Sequence, residues 1–127
     1  MSRVIDHVKL FVGDLGRSKS FYLCALEPLG YTLMMELGPL GLAFGRERPE
    51  LWIAPVPASE LPTSAHVALR AGSRAAVEAF HAAALAAGAA DNGAPGPRTH
   101  YHPTYYGAFV LDPDGNNLEA VCHADVR

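Results

Sequence analysis

The chain has 127 residues, half of them apolar and 18% charged, the composition of one ordinary globular domain. A formal net charge of −3 and a pI near 6.0 give no footprint for nucleic acid, and no basic run suits an anionic membrane surface. No apolar stretch approaches the roughly 18 residues that would span a bilayer, and the N-terminus enters a strand pattern without a signal-peptide core, so a cytoplasmic protein is expected. Cys24 and Cys122 lack metal-type spacing and read as buried thiols in a reducing compartment.

Val4–Val12 alternates, with Val8, Leu10 and Val12 on one face and Ile5, His7, Lys9 and Phe11 on the other, which predicts a strand. Asp14 is a candidate N-cap for a helix carrying Phe21, Tyr22, Ala25 and Leu26, ended by Pro28 and Gly30. Tyr31–Glu36, Leu40–Phe44 and Glu50–Ala54 read as three short strands between Gly and Pro punctuation. Residues 56–63 hold two prolines, Pro57 and Pro62, and form a linker. Ala65–Ala71 is the next strand, and Ser73 caps an alanine-rich helix that Gly88 closes. Ala89–Arg98 is rich in Gly, Pro and Ala and is expected to be mobile. Tyr105–Leu111 and Asn117–Cys122 are strands joined by Asp112-Pro113-Asp114-Gly115, a type I turn pattern. His81 is placed on the polar side of a surface helix and given no role.

The chain therefore contains one unit twice. His7-Val8-Lys9-Leu10 and His66-Val67-Ala68-Leu69 share His-Val-x-Leu, followed at equal offsets by Phe21 and Phe80 and by Leu26 and Leu85. Each copy closes on a strand that opens with a glutamate, Glu50-Leu51-Trp52-Ile53 and Glu119-Ala120-Val121-Cys122. The expected fold is α+β: two tandem βαβββ modules (3–57 and 64–124) whose curved mixed sheets form a cup-shaped half-barrel with helices outside. Strand alternation puts His7, His66, Glu50 and Glu119 on the inner face, a set suited to a divalent transition metal. Zn, Ni, Mn and Fe are not distinguished by that set. Phe11, Trp52 and Val121 would form apolar walls, with Lys9 and Arg70 as the nearby cations. The segment Arg98–Tyr106 could reach over the cup as a lid, with Arg98 for a carboxylate and His100, His102 or Tyr105 for an oxygen; an aromatic strand or a dimer contact is the alternative.

With these residues in place, the chain resembles the vicinal oxygen chelate superfamily of glyoxalases, bleomycin-resistance proteins and dioxygenases. The paired His-Val-x-Leu strands and the closing Phe109-Val110-Leu111-Asp112-Pro113-Asp114-Gly115-Asn116-Asn117-Leu118-Glu119 carry the resemblance. It implies His7, His66 and Glu119 as metal ligands and Glu50 as a fourth. Aligning Trp52 there instead would remove the fourth ligand, and the internal repeat favours Glu50. It further implies a small substrate chelated through adjacent oxygens, lyase or isomerase chemistry with Glu119 and Glu50 moving the proton, glutathione as a candidate co-substrate, and a homodimer. A metal-free binding protein and an extradiol-type dioxygenase are the competing implications.

Overall fold

A computed structural model describes residues 4–57 and 60–123. Arg3, residues 58 and 59, and Ala124, which the expected module and linker boundaries include, lie outside that range. The order of elements is β1 (Val8–Val12), α1 (Leu15–Leu26), β2 (Thr32–Glu36), β3 (Leu42–Gly45), β4 (Leu51–Pro55), β5 (His66–Arg70), α2 (Arg74–Ala86), β6 (Ala90–Pro97), β7 (Tyr106–Leu111) and β8 (Asn117–Cys122). The fold is α+β, with two unclosed mixed four-stranded sheets ordered β1-β4-β3-β2 and β5-β8-β7-β6. In each sheet the first strand is an edge that runs parallel to the last and antiparallel pairs fill the rest, so the duplication is a matter of topology as well as sequence.

Both helices start where a side chain can satisfy a free amide. Asp14 accepts from Arg17 N at 3.0 Å, and Ser73 accepts from Ala76 N at 3.1 Å. Gly45 ends β3 against the returning chain: a Cβ there would lie 1.8 Å from the Arg48 carbonyl oxygen, so only glycine permits the approach. Ala89–Arg98 does not form the expected mobile stretch. Most of it is edge strand β6, held to β7 with two register shifts that spread its glycines and prolines along the ladder.

Leu10, Val12, Leu51 and Ile53 of the first sheet and Leu69, Ala108, Val110, Leu118 and Ala120 of the second join Phe21, Tyr22, Leu26, Val77, Phe80 and Ala84 of the helices in one core. The two helices pack on one another as well as on their sheets. The opposite sheet faces carry the candidate site residues and are open.

The Asp-Pro-Asp-Gly-Asn turn does more than reverse the chain. Asp112 is buried and accepts from Tyr22 Oη at 2.6 Å, Asn116 Nδ2 at 2.9 Å, Asn116 N at 2.8 Å and Asp114 N at 2.9 Å. Asn116 Oδ1 takes Ala65 N at 2.9 Å and Thr63 Oγ1 at 3.0 Å, and Asp114 takes Gly13 N at 3.0 Å. One loop thus fastens α1, the linker and the start of β5 together.

Two further expectations are corrected. Cys24 is exposed, because it lies on the outer side of α1; Cys122 is buried. His81 is largely buried on α2 and bonds Asp91 of β6 at 3.0 Å, since β6 folds back along that helix face.

Candidate metal centre

The pairing register decides which residues correspond between the modules. Val8 lies opposite Leu51 and Lys9 opposite Trp52, whereas Val67 lies opposite Leu118 and Ala68 opposite Glu119. The structural counterpart of Glu119 is therefore Trp52. Glu50 corresponds to Asn117, one pleat towards the rim, so the sequence alignment of Glu50 with Glu119 is shifted by two residues. A two-residue shift preserves the facing of every side chain, which is why alternation alone could not detect it. Glu50 is half-buried in a notch with Tyr31, Arg46 and Arg70.

The second sheet carries a ready pair of donors. Glu119 is held inside the fold (side chain 2% exposed), and its Oε1 lies 2.8 Å from His66 Nε2, whose side chain is 52% exposed. Two donors about 2.1 Å from a common metal sit roughly 3 Å apart, so this pair fits a divalent ion with little adjustment. Tyr105 Oη donates to the other oxygen, Oε2. Burial, then the bond to Glu119 and its charge, hold the Tyr105 hydroxyl above the usual tyrosine range. Tyr101, Tyr105 and Phe109 wall this 330 Å³ recess.

The first sheet carries His7, 49% exposed, in a 440 Å³ recess with Lys9, Leu37, Leu40 and Trp52. His7 Nδ1 bonds Asp6 at 2.8 Å, and Arg48 reaches the other Asp6 oxygen at 3.1 Å. The His7 bond, offset in part by desolvation and reinforced by Arg48, holds the Asp6 carboxyl below its ordinary value. A neutral imidazole that donates from Nδ1 to Asp6 would keep its Nε2 lone pair for a metal, the arrangement that metal-binding imidazoles use.

The two recesses share none of the described residues. Among the described residues, no three His, Cys, Asp or Glu side chains gather closely enough to hold one metal. One chain thus brings His66 and Glu119 together and leaves His7 on another face.

The remaining candidates divide. Phe11 lines a groove with Val56, Leu61 and Thr63 near the linker, and Val121 is buried beside Glu119 on β8. Arg98 is occupied as a strand clasp: its guanidinium donates to the carbonyls of Ala94 at 2.8 Å and Gly96 at 2.9 Å and covers the Phe109 ring at 5.5 Å. His100 packs on Tyr101, and His102 accepts from Thr104 N through Nδ1 at 3.2 Å. Leu37, Leu40, Tyr101 and Phe109 were not identified from the sequence. Leu37 precedes and Leu40 ends the Gly38–Leu40 turn, where no periodicity announces a facing.

Two helix-backed βαβββ sheets in tandem are the fold of the glyoxalase-type proteins. The Glyoxalase/Bleomycin resistance protein/Dioxygenase superfamily model matches residues 4–120, and the chain belongs to that family. A glyoxalase/bleomycin resistance protein from Albidiferax ferrireducens T118 superposes with a TM-score of 0.80 at 27% identity, over 94% of this chain and 98% of that one. A putative glyoxalase from Bacillus halodurans gives 0.72 at 22% identity, over 94% and 95%. A lactoylglutathione lyase from Agrobacterium tumefaciens gives 0.69 at 18% identity, over 96% and 94%. The last two likenesses are of fold. No curated protein matches the chain in sequence.

Proposed function

We propose that this chain is one half of a homodimeric, divalent-metal-dependent enzyme of glyoxalase-like type, acting on a small substrate gripped through two adjacent oxygens. The observation that supports this best is the split donor set: His66 faces Glu119, while His7 offers its free nitrogen on a separate face. A second copy related by a twofold axis would bring His7 of one chain to His66 and Glu119 of the other and form two such sites. Exposed Ile5, Leu37, Leu40 (73% exposed) and Tyr101 around the open faces supply apolar surface for that contact.

With Trp52 at the fourth position, the ligand set is two histidines and one carboxylate, which leaves positions open. The metal would stabilise negative charge developing on the substrate oxygens. Trp52, Leu37 and Leu40 on one side and Phe109, Tyr101 and Tyr105 on the other would exclude water and hold the substrate body. Proton transfer between adjacent carbons would fall to Glu119, with its Oε1 released from the metal, because Glu50 lies in a separate notch with Tyr31, Arg46 and Arg70. Among the described residues, Lys9 is the one Lys or Arg lining the two recesses, a poor match for the two carboxylates of glutathione and a better one for a substrate with one anionic group. The same two-histidine, one-carboxylate set also suits Fe(II) oxygen chemistry, so the second reading is an extradiol-type dioxygenase.

The deciding experiment mixes two defective variants. His7→Ala and His66→Ala proteins should each lose stoichiometric metal. Unfolded and refolded together, they should regain roughly a quarter of the parent's sites, because half the dimers are mixed and each mixed dimer holds one intact site. No recovery, with dimers present, would sink the shared site. No metal bound by the parent would leave a binding protein. Oxygen uptake with catechols under Fe(II) would select the dioxygenase.

A further inference from the structure

Tyr105 is held more firmly than a substrate-contacting lid residue needs to be. Its amide donates to the His102 carbonyl at 3.1 Å, and its carbonyl accepts from Arg98 N at 2.8 Å. Its ring is set against Tyr101 at 5.1 Å and stands perpendicular to His123 at 5.3 Å. From this fixed base its hydroxyl donates to Glu119 Oε2, while His66 faces Oε1. The two oxygens of one buried carboxylate therefore have different partners.

The backbone beside the pair is shaped for it. Gly107 lies between them, and a Cβ there would sit 3.2 Å from Tyr105 Cε1 and 3.3 Å from Glu119 Oε2. Both distances are tighter than ordinary contact, and Glu119 is enclosed, so a side chain at position 107 would press on the pair. Gly107 has no left-handed backbone angle that would otherwise call for glycine.

We propose that Tyr105 is a positioning residue that ties up Glu119 Oε2, so that Glu119 offers a metal only Oε1 and a coordination position stays open for the second substrate oxygen. This rests on the metal-site reading above. A carboxylate with both oxygens free can close on a metal as a chelate and occupy the place a two-oxygen substrate needs. Tyr105 acts through Glu119 and takes no part in bond making.

The test uses the full-length protein loaded with Co2+, whose visible absorption weakens as ligands are added. Tyr105→Phe keeps the ring and removes the hydroxyl. Thermal melting without metal serves as the folding control. The variant should still bind Co2+ and absorb more weakly than the parent. It should bind acetohydroxamate, a two-oxygen probe, about tenfold less tightly, the scale typical of losing a group that orients a ligand. Gly107→Ala, which crowds the same pair from the backbone, should shift the spectrum as well. An unchanged spectrum and unchanged hydroxamate affinity in a folded, Co2+-loaded Tyr105→Phe protein would overturn the positioning role and leave the metal site standing. Failure of the parent to take Co2+ would overturn both.

Discussion

Single residues in this protein are set by what surrounds them more than by what they are. Tyr22 lies on the apolar face of α1 and looks like core, yet its hydroxyl is spent on buried Asp112 in the distant turn. Replacing it with Phe should cost about 1.5–3 kcal/mol in urea unfolding at pH 7, the range for a hydrogen bond to a charged group. The loss should depend on pH. Burial, then the Asp112 charge and the bond to it, push the Tyr22 hydroxyl far above its ordinary value of 10.0. A group raised in the fold contributes fully below its unfolded value and loses that contribution as pH rises through it. The gap between parent and Tyr22→Phe should therefore hold from pH 7 to 9 and shrink above pH 10. A gap that is constant to pH 11 would contradict the buried neutral tyrosine. Asp91 works in the opposite sense. Its bonds from the Gly93 amide and from His81 lower its carboxyl, so the small stability it brings exists above pH 4 and fades as pH falls through the carboxylate range.

At the scale of elements, the helices were the most legible parts and the connections the least. Asp14 and Ser73 stand before periodic apolar runs, and each caps its helix. Ser73→Ala should cost about 1 kcal/mol, read from a thermal melt; a change within error would mean the cap bond has no net effect. β6 was not legible, because Ala90–Pro97 has neither alternation nor β-branched side chains and is a strand only because β7 and α2 lie beside it. Its amides on the outer edge should exchange with solvent faster than those of β8, which is paired on both sides. Equal protection would mean that something covers the β6 edge. The repeat was visible at its opening His-Val-x-Leu, yet its closing strands were aligned on the wrong residue. A short Glu-x-x-x match weighs the same in a sequence whether or not it is in register, and only the hydrogen-bonded ladder shows Trp52 opposite Lys9.

At the scale of the whole molecule, the apolar helix-clad faces meet within one chain and the faces that carry the candidate site residues look outward. The expected consequence is a dimer with a mass near twice 13.5 kDa in light scattering. A monomer at concentrations where the protein binds metal would rule out a site shared between copies. Trp52 is the sole tryptophan and lines the His7 recess, so dilution that separates the copies should move its emission to longer wavelength as water reaches the ring. No helix among the described residues is long and apolar enough to cross a membrane. The sequence by itself determined the duplicated unit, its strands other than β6, the helix caps, the strand faces and the candidacy of His7, His66 and Glu119, because these depend on local periodicity and on residue chemistry at short range. Only the tertiary structure decided that Trp52 matches Glu119, that Tyr105 holds the free oxygen of Glu119, and that His7 stands apart from its would-be partners. Those facts depend on strand register and on how two modules dock, and both are settled by contacts between residues far apart in the chain.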